Sequence, residues 1–127
     1  MIGCTCAVCR STDPRDVRSR PSILIELLGP APGLPSSATR FVLVDTSPDL
    51  RMQALRHDVT RVDAILYTHS HADHILGLDE MRRFNSIQKS AIPAYADART
   101  LADLKRTFSY IFEPPDQKGG EIGRAHV

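Results

Sequence analysis

The sequence has 127 residues, 42% of them apolar and 24% charged, with a formal net charge of +1. That is one domain's worth or less, in a composition ordinary for a globular protein. The near-neutral balance gives no electrostatic warrant for nucleic-acid binding, no apolar run approaches the ~18 residues of a membrane span, and Met1-Ile2-Gly3-Cys4 lacks the features of a signal peptide.

Cytoplasmic residence is therefore the default expectation, and the oligomeric state is not legible. Aromatics make up 6% and Trp is absent. The core is modest, and bound metals are expected to add to its stability.

The cysteines Cys4, Cys6 and Cys9 fall together at the start. An odd number packed this tightly does not read as a disulfide framework. Neighbours at Cys-x-Cys would form a strained bridge. The spacing suits three thiolates on one structural zinc, with a fourth ligand from elsewhere. Residues 1–21 are read as a cysteine-rich zinc-binding segment followed by a polar, arginine-bearing loop from Arg10 to Pro21.

Ser22 to Leu28 reads as a buried strand, and Phe41 to Val44 as a second one. The breaker-dense stretch between them makes a hairpin with a long connection. Ser47, Pro48 and Asp49 have the chemistry of a helix start, so a helix is expected over about 48–57. Ala64 to Tyr67 forms a short strand, and apolar spacing from Ile75 predicts a helix over about 74–84 with Gly77 allowing close packing. Ile92 to Ala96 is a short strand, with Pro93 suiting an edge strand or a first position in the strand. Asp97 caps a helix running to Phe108, and Glu113 to Asp116 is irregular.

Between the third strand and the helix after it lies Thr68-His69-Ser70-His71-Ala72-Asp73-His74. In an extended segment alternate side chains share a face, so His69 and His71 can point the same way. Asp73 and His74 sit where the chain turns into a helix and can face a second point nearby. This suits two metal ions a few ångströms apart, ~3.5–4 Å in two-metal hydrolases. Asp45, where the second strand ends, is a candidate for orienting a metal-bound histidine, and a plain turn or capping carboxylate is the other reading.

The His69-x-His71-x-Asp73-His74 run after a strand, with a preceding strand ending in Asp45, resembles the metal signature of the metallo-β-lactamase-fold hydrolases. The cysteine cluster, the DTSPDLR stretch at 45–51 and HADHILGLDEMRRFN at 71–85 look like the branch containing the phosphonate-pathway cyclic phosphodiesterase. A related branch includes the pyrroloquinoline-quinone biosynthesis protein B type. The resemblance implies an α/β (α+β) fold, a partial αββα sandwich of which this sequence holds the N-terminal half. It implies that His69 and His71 bind one divalent metal and that Asp73 and His74 bind the other. The ions would be zinc, with manganese or iron as alternatives, and would share a hydroxide that Asp73 helps to orient. It also implies a structural zinc at Cys4, Cys6 and Cys9.

A complete site of that family needs further His and Asp ligands from later in the fold, and after His74 the sequence holds only His126. Residues 1–120 are accordingly read as an incomplete domain, inactive alone, and 121–127 as a non-native tail. The tail back-translates as GAG ATC GGA AGA GCA CAC GTC, which resembles the start of a sequencing-adapter oligonucleotide, so His126 is not counted as a ligand. The expected function is a metal-dependent hydrolase, a phosphodiesterase acting on a small or cyclic phosphodiester, with no membrane or nucleic-acid partner. The alternatives are a non-catalytic zinc-binding module and a same-fold hydrolase of another class: a tRNA 3′-processing nuclease, a lactonase or a thioesterase.

Overall fold

In the computed structural model, residues 2–29 and 39–112 are described. The chain forms β1 (Ile23–Leu27), β2 (Arg40–Val44), α1 (Leu50–Arg56), β3 (Ala64–Leu66), α2 (Ala72–Ile75), α3 (Met81–Gln88), β4 (Ala94–Tyr95), α4 (Ala98–Thr107) and α5 (Ser109–Phe112). One mixed sheet runs in the order β1-β2-β3-β4. The expected hairpin is its antiparallel edge, and β2, β3 and β4 are parallel, joined through helices. The expected irregular stretch 113–116 and the tail at 121–127 lie outside the described residues.

The sheet's two faces have different fates, and the register shows which residues face which way. Leu24, Leu43, Ile65 and Ala94 are cross-strand neighbours. Leu43 and Ile65 of this row are buried beneath Leu50, Val62, Ile75, Met81, Phe84, Leu104 and Phe108. The adjacent row, Ile23, Val44, Leu66 and Tyr95, points the other way. There Ile23, Leu66 and Tyr95 are exposed. This is one helical layer on one sheet, the partial sandwich anticipated above.

Three expectations are corrected. β1 is an exposed strand, not a buried one: among the described residues it lies at the edge of the sheet, and its residues are exposed on both faces. α1 begins at Leu50, with Asp49 rather than Ser47 at its N-cap. Ser47 is fully buried, and its hydroxyl donates to Gln53 Oε1 while its amide donates to Ser22 Oγ. The helix expected over about 74–84 is broken into α2, a 3-10 turn at Leu78–Glu80, and α3. The break falls at Gly77, whose amide donates to Thr46 O at 2.8 Å instead of continuing a helix. Arg82 and Arg83 consequently open α3 rather than close a helix.

Other expectations hold. Asp97 caps α4, its carboxylate accepting from the Thr100 amide at 2.7 Å. Among the described residues β4 is an outer strand of the sheet, entered at Pro93, whose carbonyl accepts from Ile65 N.

Asp63 fixes the start of β3 against β2: its amide donates to Phe41 O and its carboxylate accepts from Phe41 N and Arg61. Burial works against its charge, but Arg61 and the Phe41 amide outweigh it and hold the carboxyl below the usual aspartate range. The stabilisation is thus fully present above the ordinary aspartate value of about 3.9, and is lost as pH falls through the lowered folded value. Asp63→Ala is expected to lower the urea midpoint at pH 7 and to flatten the acid limb of the stability profile. An unchanged acid limb would remove Asp63 from the account.

Candidate metal centre

The parallel strands β2 and β3 end side by side, and the candidate residues gather just beyond their C-terminal ends. Asp45 follows β2 with φ +59°, a left-handed conformation that Asp tolerates better than most residues. Its amide donates to Leu66 O, which locks this turn to β3. Next in sequence, buried Thr46 donates its amide to His74 O and its hydroxyl to Ile75 O, while buried Tyr67 donates its phenol to Thr46 Oγ1. The backbone that carries His74 is therefore docked directly on the residues after Asp45.

Asp45 accepts three hydrogen bonds. The Thr68 amide donates to Oδ1 at 2.8 Å, and the Thr68 hydroxyl and His74 Nδ1 both donate to Oδ2 at 2.7 Å. Burial opposes its ionisation, but these donors prevail, so its carboxyl titrates below the usual range. An ionised carboxylate only accepts, so His74 carries its proton on Nδ1 and leaves the Nε2 lone pair available.

The same logic passes through Thr68 to His69. Thr68 has one hydroxyl proton and gives it to Asp45, so at 2.9 Å from His69 Nδ1 it must accept. His69 is then also the Nδ1–H tautomer with Nε2 available. One carboxylate thus sets the tautomers of two histidines, His74 directly and His69 through a hydroxyl. Sequence reading singled out Asp45 and missed Thr68, although a hydroxyl beside a candidate ligand was a visible signal.

The available ligand atoms converge in pairs. His69 Nε2 and His71 Nδ1 are 3.1 Å apart, and His74 Nε2 lies 3.6 Å from Asp73 Oδ2. Two ligands at ~2.0–2.1 Å from a tetrahedral zinc stand about 3.3 Å from each other, so both pairs have the spacing of ligands on one ion. The pairs adjoin, with the His69 and His74 ring centroids 4.0 Å apart. His71 and Asp73 are exposed, so the cluster opens to solvent. The residues present fit divalent metals.

The three cysteine Sγ atoms lie within 4.8 Å of one another, and none is in a disulfide. Thiolates at ~2.3 Å from one zinc would be about 3.8 Å apart, so this trio also fits an ion. The Cys9 backbone amide, then the Cys4 and Cys9 side chains, pull the Cys6 thiol down to about 7. A turn in which Arg10 N donates to Cys6 O holds the segment's shape.

A mixed sheet with an Asp at one strand end and a His-x-His-x-Asp-His run at the next defines a class, and comparison with known proteins agrees. Residues 40–125 match the model of the beta-lactamase superfamily domain, and the chain belongs to that superfamily. The crystal structure of a new diphosphatase from the PhnP family superposes with a TM-score of 0.69 at 48% identity, over 87% of this chain and 41% of that one. Zn(2+)-bound PqqB from Methylobacterium extorquens superposes with a TM-score of 0.55 at 25% identity, over 82% of this chain and 34% of that one. An octanoyltransferase of Porphyromonas gingivalis (strain ATCC BAA-308 / W83) is 38% identical over 111 residues, 87% of this chain but 20% of that protein. The chain thus spans between a fifth and about two-fifths of the proteins it matches. Among the described residues, no helix is long and apolar enough to cross a membrane.

Proposed function

We propose that the full-length protein carrying this sequence is a metal-dependent hydrolase, a phosphodiesterase acting on a small or cyclic phosphodiester. The observation that carries the reading is the two adjoining ligand pairs, with the tautomers of His69 and His74 fixed by one buried carboxylate. His69 and His71 would hold one divalent metal, and Asp73 and His74 the other, as zinc, manganese or iron. Cys4, Cys6 and Cys9 would hold a structural zinc with a fourth ligand from elsewhere. Metals held at the paired site supply Lewis acidity and activate water at neutral pH.

The chain's own residues do the rest. Asp73, exposed beside His74, can accept a hydrogen bond from the attacking water and turn a lone pair towards the ester. Asp45 and Thr68 place the single proton of neutral His74 and His69 on Nδ1 and so orient their Nε2 atoms as ligands. Likeness to a PhnP-family diphosphatase favours attack at phosphorus over a lactone or thioester carbonyl. The octanoyltransferase name describes a protein of which only a fifth is matched, so it does not displace that preference.

The test is metal content per chain of the full-length gene product, paired with hydrolysis of bis(p-nitrophenyl) phosphate. About three metals with turnover supports a two-metal phosphodiesterase carrying a separate structural zinc. One metal and no turnover would make the chain a structural zinc module instead.

Asp45→Asn probes the same reading from behind. Asn has one acceptor oxygen where the carboxylate uses two, so its NH₂ must face at least one of the three donors. Chelator competition should show paired-site affinity reduced ~10–100-fold, the usual consequence of losing a partner that orients a ligand. Wild-type affinity in Asp45→Asn would show that the His74 and Thr68 contacts do not set the ligands.

A further inference from the structure

We propose that Asp103, on α4, is a positioning residue for the paired metal site and acts through Ser70; the inference rests on the metal-site reading above. Ser70 lies between His69 and His71, and in extended chain its side chain leaves the opposite face from theirs. Its hydroxyl donates to Asp103 Oδ2 at 2.6 Å across 33 positions of sequence. The other oxygen, Oδ1, accepts from Arg106 Nη2 at 2.6 Å, one turn along the same helix. The Asp103 side chain is 22% exposed against 78% for Arg106, so the acceptor is shielded while its counter-charge reaches solvent.

The helix beneath is a firm base. α4 is capped by Asp97 and buries Leu101 and Leu104 in the core. The metal-bearing loop is therefore held on both sides. Asp45 and Thr68 fix the ligands from the strand end, and Asp103 fixes the backbone between the two histidines from behind. Without the Ser70 contact, the 3.1 Å approach of His69 Nε2 to His71 Nδ1 would depend on a loop free to shift. Holding two ligands at a set separation before the ion arrives is what such a clamp contributes.

The experiment uses the full-length gene product stripped of metal, titrated with Co(II) and Zn(II) against a competing chelator. The variants are Ser70→Ala, Asp103→Ala and Asp103→Asn. Asn can still accept from the Ser70 hydroxyl, so it serves as the conservative rescue. Ser70→Ala and Asp103→Ala should each weaken paired-site binding about tenfold, the lower end for supporting contacts, and alter the Co(II) absorption spectrum. The double substitution should be no worse than either single one, because both remove the same bond. Asp103→Asn should keep the affinity and spectrum near wild type.

If Ser70→Ala binds as tightly as wild type with an unchanged spectrum, the clamp is overturned while the metal site stands. Loss of affinity in Asp103→Asn equal to that in Asp103→Ala would also overturn it, since charge rather than the hydrogen bond would then matter. A wild-type protein that takes up no metal at the histidines overturns the metal-site reading and this inference together.

Discussion

Gly77→Ala is expected to destabilise the full-length protein by at least about 3 kcal/mol, the upper range for forcing atoms into packed space. A Cβ at this position would overlap the backbone carbonyl oxygen of Ser47, and would stand 3.0 Å from Ser47 C and 3.1 Å from Leu50 Cβ. Gly77 has no positive φ, so the penalty is one of space and not of backbone conformation. Neither neighbour can yield easily. Ser47 is fully buried between Ser22 and Gln53, and Leu50 opens α1 within the core.

Relief would come from moving the 74–77 backbone away from Thr46, breaking the Gly77 N to Thr46 O and Thr46 N to His74 O bonds. That motion draws His74 from Asp45, so weaker metal binding should accompany the lost stability. Thermal denaturation should show a fall of roughly 10 °C. Leu76→Ala, at a neighbouring half-exposed side chain, should change little. Equal stability of Gly77→Ala and wild type would show that this contact is not tight in solution.

Gly77 also shows where sequence reading succeeds and where it stops. A glycine in an apolar helical pattern hinted at close packing, which holds, but nothing local said that the carbonyl beneath it would end the helix. Ser47 and Pro48 had the composition of a helix start, yet Ser47 was claimed by Ser22 and Gln53, partners that no local rule reveals. β1 looked buried because its residues are apolar, but apolarity says nothing about which faces are covered. Chemistry confined to neighbours was easier. The alternation that aligns His69 with His71 and the Asp97 cap both depend on a few adjacent residues. Asp45 was legible because it ends a strand, whereas Asp103 was not, because its link to Ser70 exists only once α4 packs beside the loop.

In the full-length protein, on the function proposed above, Asp73→Ala should abolish turnover while leaving the fold intact, which makes it the sharpest division between an enzyme and a zinc-binding module. The Asp73 side chain is half exposed and lies in the first turn of α2, where alanine is readily accepted. Its contact is to His74 Nε2 at 3.6 Å, so its removal opens no core cavity and thermal stability without metal should hold. On the proposed reading, what is lost is the carboxylate of one ligand pair and the acceptor beside the attacking water. Hydrolysis of bis(p-nitrophenyl) phosphate should fall ~10³-fold or more, in the range that a positioned proton acceptor contributes. Metal content should drop by about one ion per chain, because a single remaining protein ligand of that pair holds an ion poorly. Asp73→Asn keeps one acceptor oxygen without the charge and should lie between the two. Retained turnover in Asp73→Ala would move the catalytic role to another residue, whereas a full metal complement with no turnover would confine Asp73 to the chemical step.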